Sequence, residues 1–157
     1  MVEIYTDGGC RNNPGLGAWA FIVVENGKIT HAPSCTNAHT TNNEMELTAI
    51  CQAIYYAKMF GMIDTTIYTD SQYAVNAINI WYHQWSQQNN LAGKKNIPLI
   101  REILQNLSGT HIKIEWVKGH ASNPFNNLAD QLVNQAMDKV TLQLDQPLPA
   151  APLPPSS

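Results

Sequence analysis

The tetrapeptide Ile-Tyr-Thr-Asp occurs twice in this 157-residue chain, at 4–7 and again at 67–70. In each copy a strand-forming run ends on an acid. A loop rich in Gly, Asn and Pro comes after Asp7, and a helical pattern after Asp70. If the two strands are parallel neighbours, both aspartates emerge at strand carboxyl ends, where open α/β sheets bind ligands. Equal offset along the strands then puts both side chains on one face. The pattern also suits two acids that merely end strands and cap the next segment. The repeat therefore constrains the fold more than it assigns a role.

The other periodicities fill in a mixed α/β domain. Residues 18–24 (A-W-A-F-I-V-V) read as a second strand running to Asn26-Gly27, a type I′ hairpin pair, with a third strand from Lys28. A helix is expected from about Glu44 to Phe60 on the apolar stripe Leu47, Ile50, Cys51, Ile54 and Tyr55, with Gly61 as its C′ residue. After the second Ile-Tyr-Thr-Asp come a helical stretch from about Ser71 to Gln87, a polar irregular segment, and a helix with Pro98 in its first turn that ends near Leu107. Alternation of Ile112, Ile114 and Trp116 with charged residues marks a last strand. A loop, K-G-H-A-S-N-P-F, separates it from a final helix over about Asn126–Lys139. The domain is expected to span 1–140. From Pro147 onward five of eleven residues are proline and none is charged, so 141–157 is expected to be a flexible Pro-rich appendage.

Composition excludes several classes. Apolar residues make up 44% of the chain, enough for one core. No run of about 18 apolar residues is present, so no membrane span is expected. The opening M-V-E-I-Y lacks the basic and apolar regions of a signal peptide. Cys10, Cys35 and Cys51 form no C-x-x-C pair, which argues against a disulfide framework or a zinc knuckle and fits a reducing cytoplasm. A net charge of −3 and a pI near 5.9 count against nucleic-acid binding unless metal ions supply local positive charge.

Two helical carboxylates join the strand pair. Glu46 borders the apolar stripe of its helix, although Asn43 to Glu46 also matches a capping box. Asp130 sits beside the stripe Leu128, Leu132, Val133 and Ala136, although an acid in a first turn is also favoured by the helix dipole. Four acids converging on one spot repel each other and need a partner of high positive charge. Divalent metal with oxygen ligands fits, Mg²⁺ above all. Two ions about 3.5–4 Å apart can activate water and stabilise the leaving oxygen in phosphodiester hydrolysis.

Four stretches together resemble a bacterial type 1 ribonuclease H over about residues 1 to 139. They are Y-T-D-G-G-C-x-N-N-P-G-x-G from Tyr5, T-T-N-N-E-M-E-L from Thr40, Y-T-D-S-Q-Y from Tyr68, and W-V-K-G-H-A from Trp116 with Asn126, Asn127 and Asp130 beyond. The resemblance implies the ribonuclease H-like fold, a five-stranded mixed sheet of three antiparallel and two parallel strands flanked by helices. It implies hydrolysis of the RNA strand of RNA–DNA hybrids to 5′-phosphate and 3′-hydroxyl ends, with two Mg²⁺ ions for which Mn²⁺ can substitute. Asp7, Glu46, Asp70 and Asp130 would be the metal ligands, with Asp7 touching both ions. His120 would assist proton transfer and product release. Asn13, Asn43 and Gln72 would contact the minor groove of the hybrid, with Cys10 in the same loop. Thr41 and Asn13 would grip a DNA-strand phosphate. Apart from the resemblance, Trp81 and Trp85 suit either packing on the DNA strand or only anchoring their helix. A cytoplasmic monomer acting on hybrid duplex is expected.

The chain departs from the family pattern in two places. Glu44 stands where a basic residue often comes after T-N-N, and the basic protrusion is reduced to Lys94 and Lys95. A transposase, integrase or Holliday-junction resolvase on the same fold would also cluster carboxylates, but without the T-N-N-x-M-E and Y-T-D-S-Q-Y contexts. A hybrid-binding module without catalysis would not need all four acids.

Overall fold

The structure is a computed structural model that describes residues 1–119 and 123–145. Its elements are β1 (Val2–Cys10), β2 (Gly15–Glu25), β3 (Lys28–His31), β4 (Ser34–Thr40), α1 (Asn42–Met59), β5 (Thr66–Thr69), α2 (Gln72–Asn76), α3 (Tyr82–Gln87), α4 (Ile97–Leu107), β6 (Lys113–Trp116) and α5 (Pro124–Asp145). One mixed sheet runs β3-β2-β1-β5-β6, with β4 also paired to β2. β1 is antiparallel to β2 and parallel to β5, and β5 is parallel to β6.

The β2–β3 turn is the expected hairpin: Asn26 (φ 52°) and Gly27 (φ 81°) both adopt the positive φ that type I′ demands. The single third strand expected from the sequence is instead two strands, β3 and β4, on the same edge of β2. Pro33 lies at the break and has no N–H for the ladder, although its carbonyl still accepts from Phe21 N–H at 3.2 Å.

Alternation along β1 divides the core between two faces. Ile4, with Phe21, Val23, Ile67 and Ile114, packs under α1 and α4. Tyr5, with Ile22 and Val24, packs on the other face against Ala129 and Leu132 of α5. The α1 stripe is buried at Leu47, Ile50, Cys51 and Ile54, but Tyr55 lies outside it at 37% exposure and hydrogen bonds Glu102. Ile112, just before β6, and Ile114 on it are buried, while Trp116 at its end turns out to solvent.

The helix ends differ from the sequence expectation in instructive ways. α1 begins two residues early because Thr41 is its N-cap, accepting from Glu44 N–H at 3.2 Å. The expected helix over 71–87 contains a π-helical turn, Ala77–Trp81, between α2 and α3. α5 starts at Pro124 and continues to Asp145, past the expected end near Lys139. The Pro-rich segment from Pro147 lies outside the described residues.

α1 closes on Gly61 (φ 70°), whose N–H bonds Lys58 O while Met62 N–H bonds Ala57 O, the paired arrangement of a Schellman motif. Nothing lies within 4 Å of a Cβ built there, so only the backbone conformation opposes a side chain. Gly61→Ala should therefore destabilise the fold by about 1–2 kcal/mol, lowering Tm by roughly 2–8 °C. Thermal melting followed by circular dichroism checks this; an unchanged Tm would show that the left-handed closure of α1 contributes nothing.

Candidate metal centre and adjoining cleft

Parallel pairing of β1 with β5 sets Ile4 opposite Ile67, Tyr5 opposite Tyr68 and Thr6 opposite Thr69. The repeated tetrapeptides thus lie side by side in register, and Thr6 Oγ1 ties them by donating to Tyr68 O at 2.9 Å. Asp7 and Asp70 are the next residues of the two strands' runs and fall together. α1 adds the third acid. At Gly8 the first turns of α1 rest on β1 so closely that a Cβ would stand 2.3 Å from the Met45 carbonyl carbon and 2.4 Å from Glu46 N. The absence of a side chain brings Glu46 over Asp7. Ligand oxygens of Asp7, Glu46 and Asp70 all lie within 4.8 Å of one another.

Glu46 does not cap its own helix, as a capping box would require. Its Oε1 accepts the Gly8 N–H at 3.0 Å, and its Oε2 accepts the Thr69 hydroxyl at 3.3 Å. The helix end is already satisfied by Thr41, so Glu46 is available to the sheet. Thr69 is itself fixed, accepting Ser71 N–H at 3.1 Å. The exposed Trp116 sends its indole N–H to the Asp70 carbonyl at 3.1 Å. A Cβ on Gly119 would stand 3.0 Å from Asp70 Oδ2, so that backbone closes in on the acid. Sequence reasoning assigned no role to Gly8, Thr69, Trp116 or Gly119. Only the Thr-Asp and Lys-Gly-His contexts hinted at two of them.

Burial and mutual repulsion dominate the electrostatics. Asp7 is buried, and desolvation with the nearby Glu46, Asp70 and Asp130 charges pushes its carboxyl up to about 11. Desolvation and Asp70 push Glu46 up to about 7, against hydrogen bonds that favour its charged form. Asp7 and Glu46 lie within 4.8 Å of each other, and their raised carboxyls favour a proton retained on the pair at neutral pH. Among the described residues neither is ion-paired to Lys or Arg; the ion pair found is Arg11–Asp138 at 2.6 Å. Buried hard oxygen donors on Asp7 and Glu46, with Asp70 within 4.8 Å, fit a divalent cation. Asp130 stands outside the tight trio but within electrostatic reach of Asp7. α5 begins at Pro124, so Asp130 is not in its first turn and the helix-dipole explanation does not apply. His120 lies outside the described residues.

A cleft of about 640 Å³ adjoins the N-terminus of α1. Asn13, Thr41 and Asn43 line it together with Glu44, Tyr73, Trp85, Lys94 and Lys95. Asn13 Oδ1 accepts Asn42 N–H at 3.2 Å, which fixes the β1–β2 loop against α1. Lys94 Nζ sits 5.1 Å from the centre of the Trp85 ring. Trp81 is turned inward, packed on the core and against Tyr73 and Trp85. Cys10 Sγ faces the Thr40 and Gly15 carbonyls at 3.2 and 3.4 Å, within the loop. Gln72 is exposed and lines a separate small hollow with Trp116.

The RNase H family model matches residues 1–138. The ribonuclease H of Chlorobium chlorochromatii is 39% identical over 146 residues, covering 90% of this chain and 98% of the relative. That of Bartonella tribocorum is 41% identical over 141 residues, covering 87% and 89%. Among solved structures, RNase H1 of Halobacterium salinarum superposes with a TM-score of 0.69 at 28% identity, covering 88% of this chain and 98% of that one. LC11-RNase H1, solved in complex with RNA/DNA hybrid, superposes with a TM-score of 0.69 at 25% identity, covering 90% and 99%.

The raised Asp7 and Glu46 set the sign of a pH effect in metal-free protein. The folded state holds a proton that the unfolded chain, with ordinary carboxyls near 3.8 and 4.5, releases. The pair's contribution is thus fully present below about pH 4 and is lost as pH climbs toward 7 and beyond. Asp7→Asn removes the penalty, so the metal-free variant should be the more stable at pH 7 by at least about 1 kcal/mol, or roughly 2–4 °C. Melting both proteins in chelator from pH 5 to 8 checks this. A Tm gap that fails to widen with pH would contradict the repulsion.

Proposed function

Because the chain belongs to the ribonuclease H family, we propose that it hydrolyses the RNA strand of RNA–DNA hybrids, leaving 5′-phosphate and 3′-hydroxyl ends. The observation that carries this reading is the convergence of Asp7, Glu46 and Asp70 within 4.8 Å, with Asp130 at the edge. These four acids would hold two Mg²⁺ ions, or Mn²⁺ in their place. Bound there, such ions would activate water and stabilise the leaving oxygen.

The chain's own residues prepare the site. Asp7 is buried within 4.8 Å of Glu46 and Asp70 and feels the Asp130 charge as well, and it would be the acid that touches both ions. Gly8 N–H and the Thr69 hydroxyl lock Glu46 before any ion arrives. Trp116 and Gly119 confine Asp70. We assign His120 to moving a proton at the leaving oxygen, a task for which imidazole titrates in the right range.

The cleft supports the substrate assignments in part. Asn13 and Thr41 would take a DNA-strand phosphate beside the α1 N-terminus, where backbone N–H groups favour anions. Asn43 and Gln72 would read the minor groove through amides that both donate and accept. Trp85 lines the cleft, so contact with the DNA strand falls to it, while Trp81 holds it from behind. Cys10 would act by shaping the loop. All four acids come from one chain, so a monomer suffices, with the domain to about residue 140 as the working unit. Three free cysteines agree with a cytoplasmic enzyme, and no helix among the described residues is long and apolar enough to cross a membrane.

Labelled hybrid, duplex DNA and duplex RNA offered in Mg²⁺ test the reading. Only the hybrid's RNA strand should be cut. Asp7→Asn should abolish cutting with the fold intact, and His120→Ala should slow it by about 10²–10⁴-fold. Cleavage at the wild-type rate by folded Asp7→Asn would remove the basis of the proposal.

A further inference from the structure

We propose that Glu44 is a negative determinant of substrate affinity, an internal carboxylate seated in the cleft where a DNA-strand phosphate would bind. The inference rests on the hybrid-cleaving activity proposed above. Glu44 is the third residue of α1, one turn from the cap Thr41, and lines the same cleft as Asn13, Thr41 and Asn43. The N-terminus of a helix carries a partial positive charge of roughly half a unit that draws anions. Glu44 places a full negative charge on that end, and α1 has no other acid in its first turn.

Nothing among the described residues pairs with this charge. Glu44's backbone N–H is bonded to Thr41 Oγ1 and its carbonyl accepts the Thr48 hydroxyl. Its carboxylate has no ion-pair partner among the described residues, where the ion pair found is Arg11–Asp138. Lys94 and Lys95 share the cleft, yet the Lys94 ammonium lies over Trp85 and not on Glu44. Three charged side chains therefore line the cleft, two positive and one negative, and the negative one stands at the helix end. A polyanion entering meets attraction from the lysines and repulsion where the helix would otherwise hold a phosphate.

Steady-state cleavage of a hybrid at several salt concentrations, with wild type, Glu44→Gln, Glu44→Lys and Lys94→Gln, decides the matter. Glu44→Gln should lower KM by about 2–5-fold, the range of one exposed charge interaction, with kcat held within a factor of about two. Glu44→Lys should lower KM further and steepen its salt dependence by up to about 0.9 in log–log slope, the increment of one phosphate contact. Lys94→Gln should raise KM. A purely structural Glu44 would shift Tm and leave KM alone, and that result overturns the inference, as does a KM that rises on Glu44→Gln. Anisotropy of a fluorescent hybrid reads Kd for the same variants without turnover. Absence of cleavage in every protein would sink the activity, while the order of Kd values would still decide for or against Glu44.

Discussion

Two backbones meet at Gly8 with no side chain between them, and the metal centre is a consequence of that contact. α1 lies across β1 where the strand carries Asp7, and the adjacent Gly8 N–H reaches into the helix to hold Glu46. A Cβ there would stand 2.3 Å from the Met45 carbonyl carbon, so any side chain would force helix and strand apart. The second constraint is the parallel register of β1 and β5, which turns a repeated tetrapeptide into two adjacent aspartates. Strand pairing supplies the floor of the site and helix packing supplies its wall.

That geometry works against the stability of the protein. Burying Asp7 and Glu46 against each other, with Asp70 and Asp130 nearby, is unfavourable unless a proton or a cation intervenes. The hydrogen bonds from Gly8 and Thr69 offset part of the repulsion and hold Glu46 in place within it. A fixed cluster of buried oxygen donors is preorganised for a hard divalent ion, because the reorganisation is complete before the ion binds. The net charge of −3 leaves little attraction for a polyanion, and among the described residues Lys94 and Lys95 are the cations lining the adjoining cleft.

Much of this was legible in the residues. Periodicity located the helices and most strand cores, because alternation and the 3.6-residue stripe report burial directly, and the Ile-Tyr-Thr-Asp repeat placed Asp7 and Asp70 at strand ends. What failed depended on competition between partners. Asn43 and Glu46 satisfy the spacing of a capping box, but Thr41 wins the helix end and frees Glu46 for Gly8 and Thr69. Tyr55 and Trp116 fit their apolar periodicities yet face outward, each drawn by a polar partner, Glu102 and the Asp70 carbonyl. Of the paired tryptophans, only the fold shows Trp85 lining the cleft and Trp81 turned to the core. The close approach at Gly8 is a tertiary fact with no local signature, and the Lys-Gly-His context hints at Gly119 without placing it against Asp70.

In the absence of metal, burial and mutual repulsion raise the Asp7 and Glu46 carboxyls toward holding a proton at neutral pH, a consequence of the same convergence that marks the site as a cation centre. A cation that occupies their site must displace that proton, so binding should release protons. Calorimetric titration of Mg²⁺ at pH 7 in buffers of different ionisation enthalpy counts them. About one proton released per protein, lost in Asp7→Asn, is the predicted result. Binding with no proton release in the wild type would contradict the electrostatics from which the site is argued.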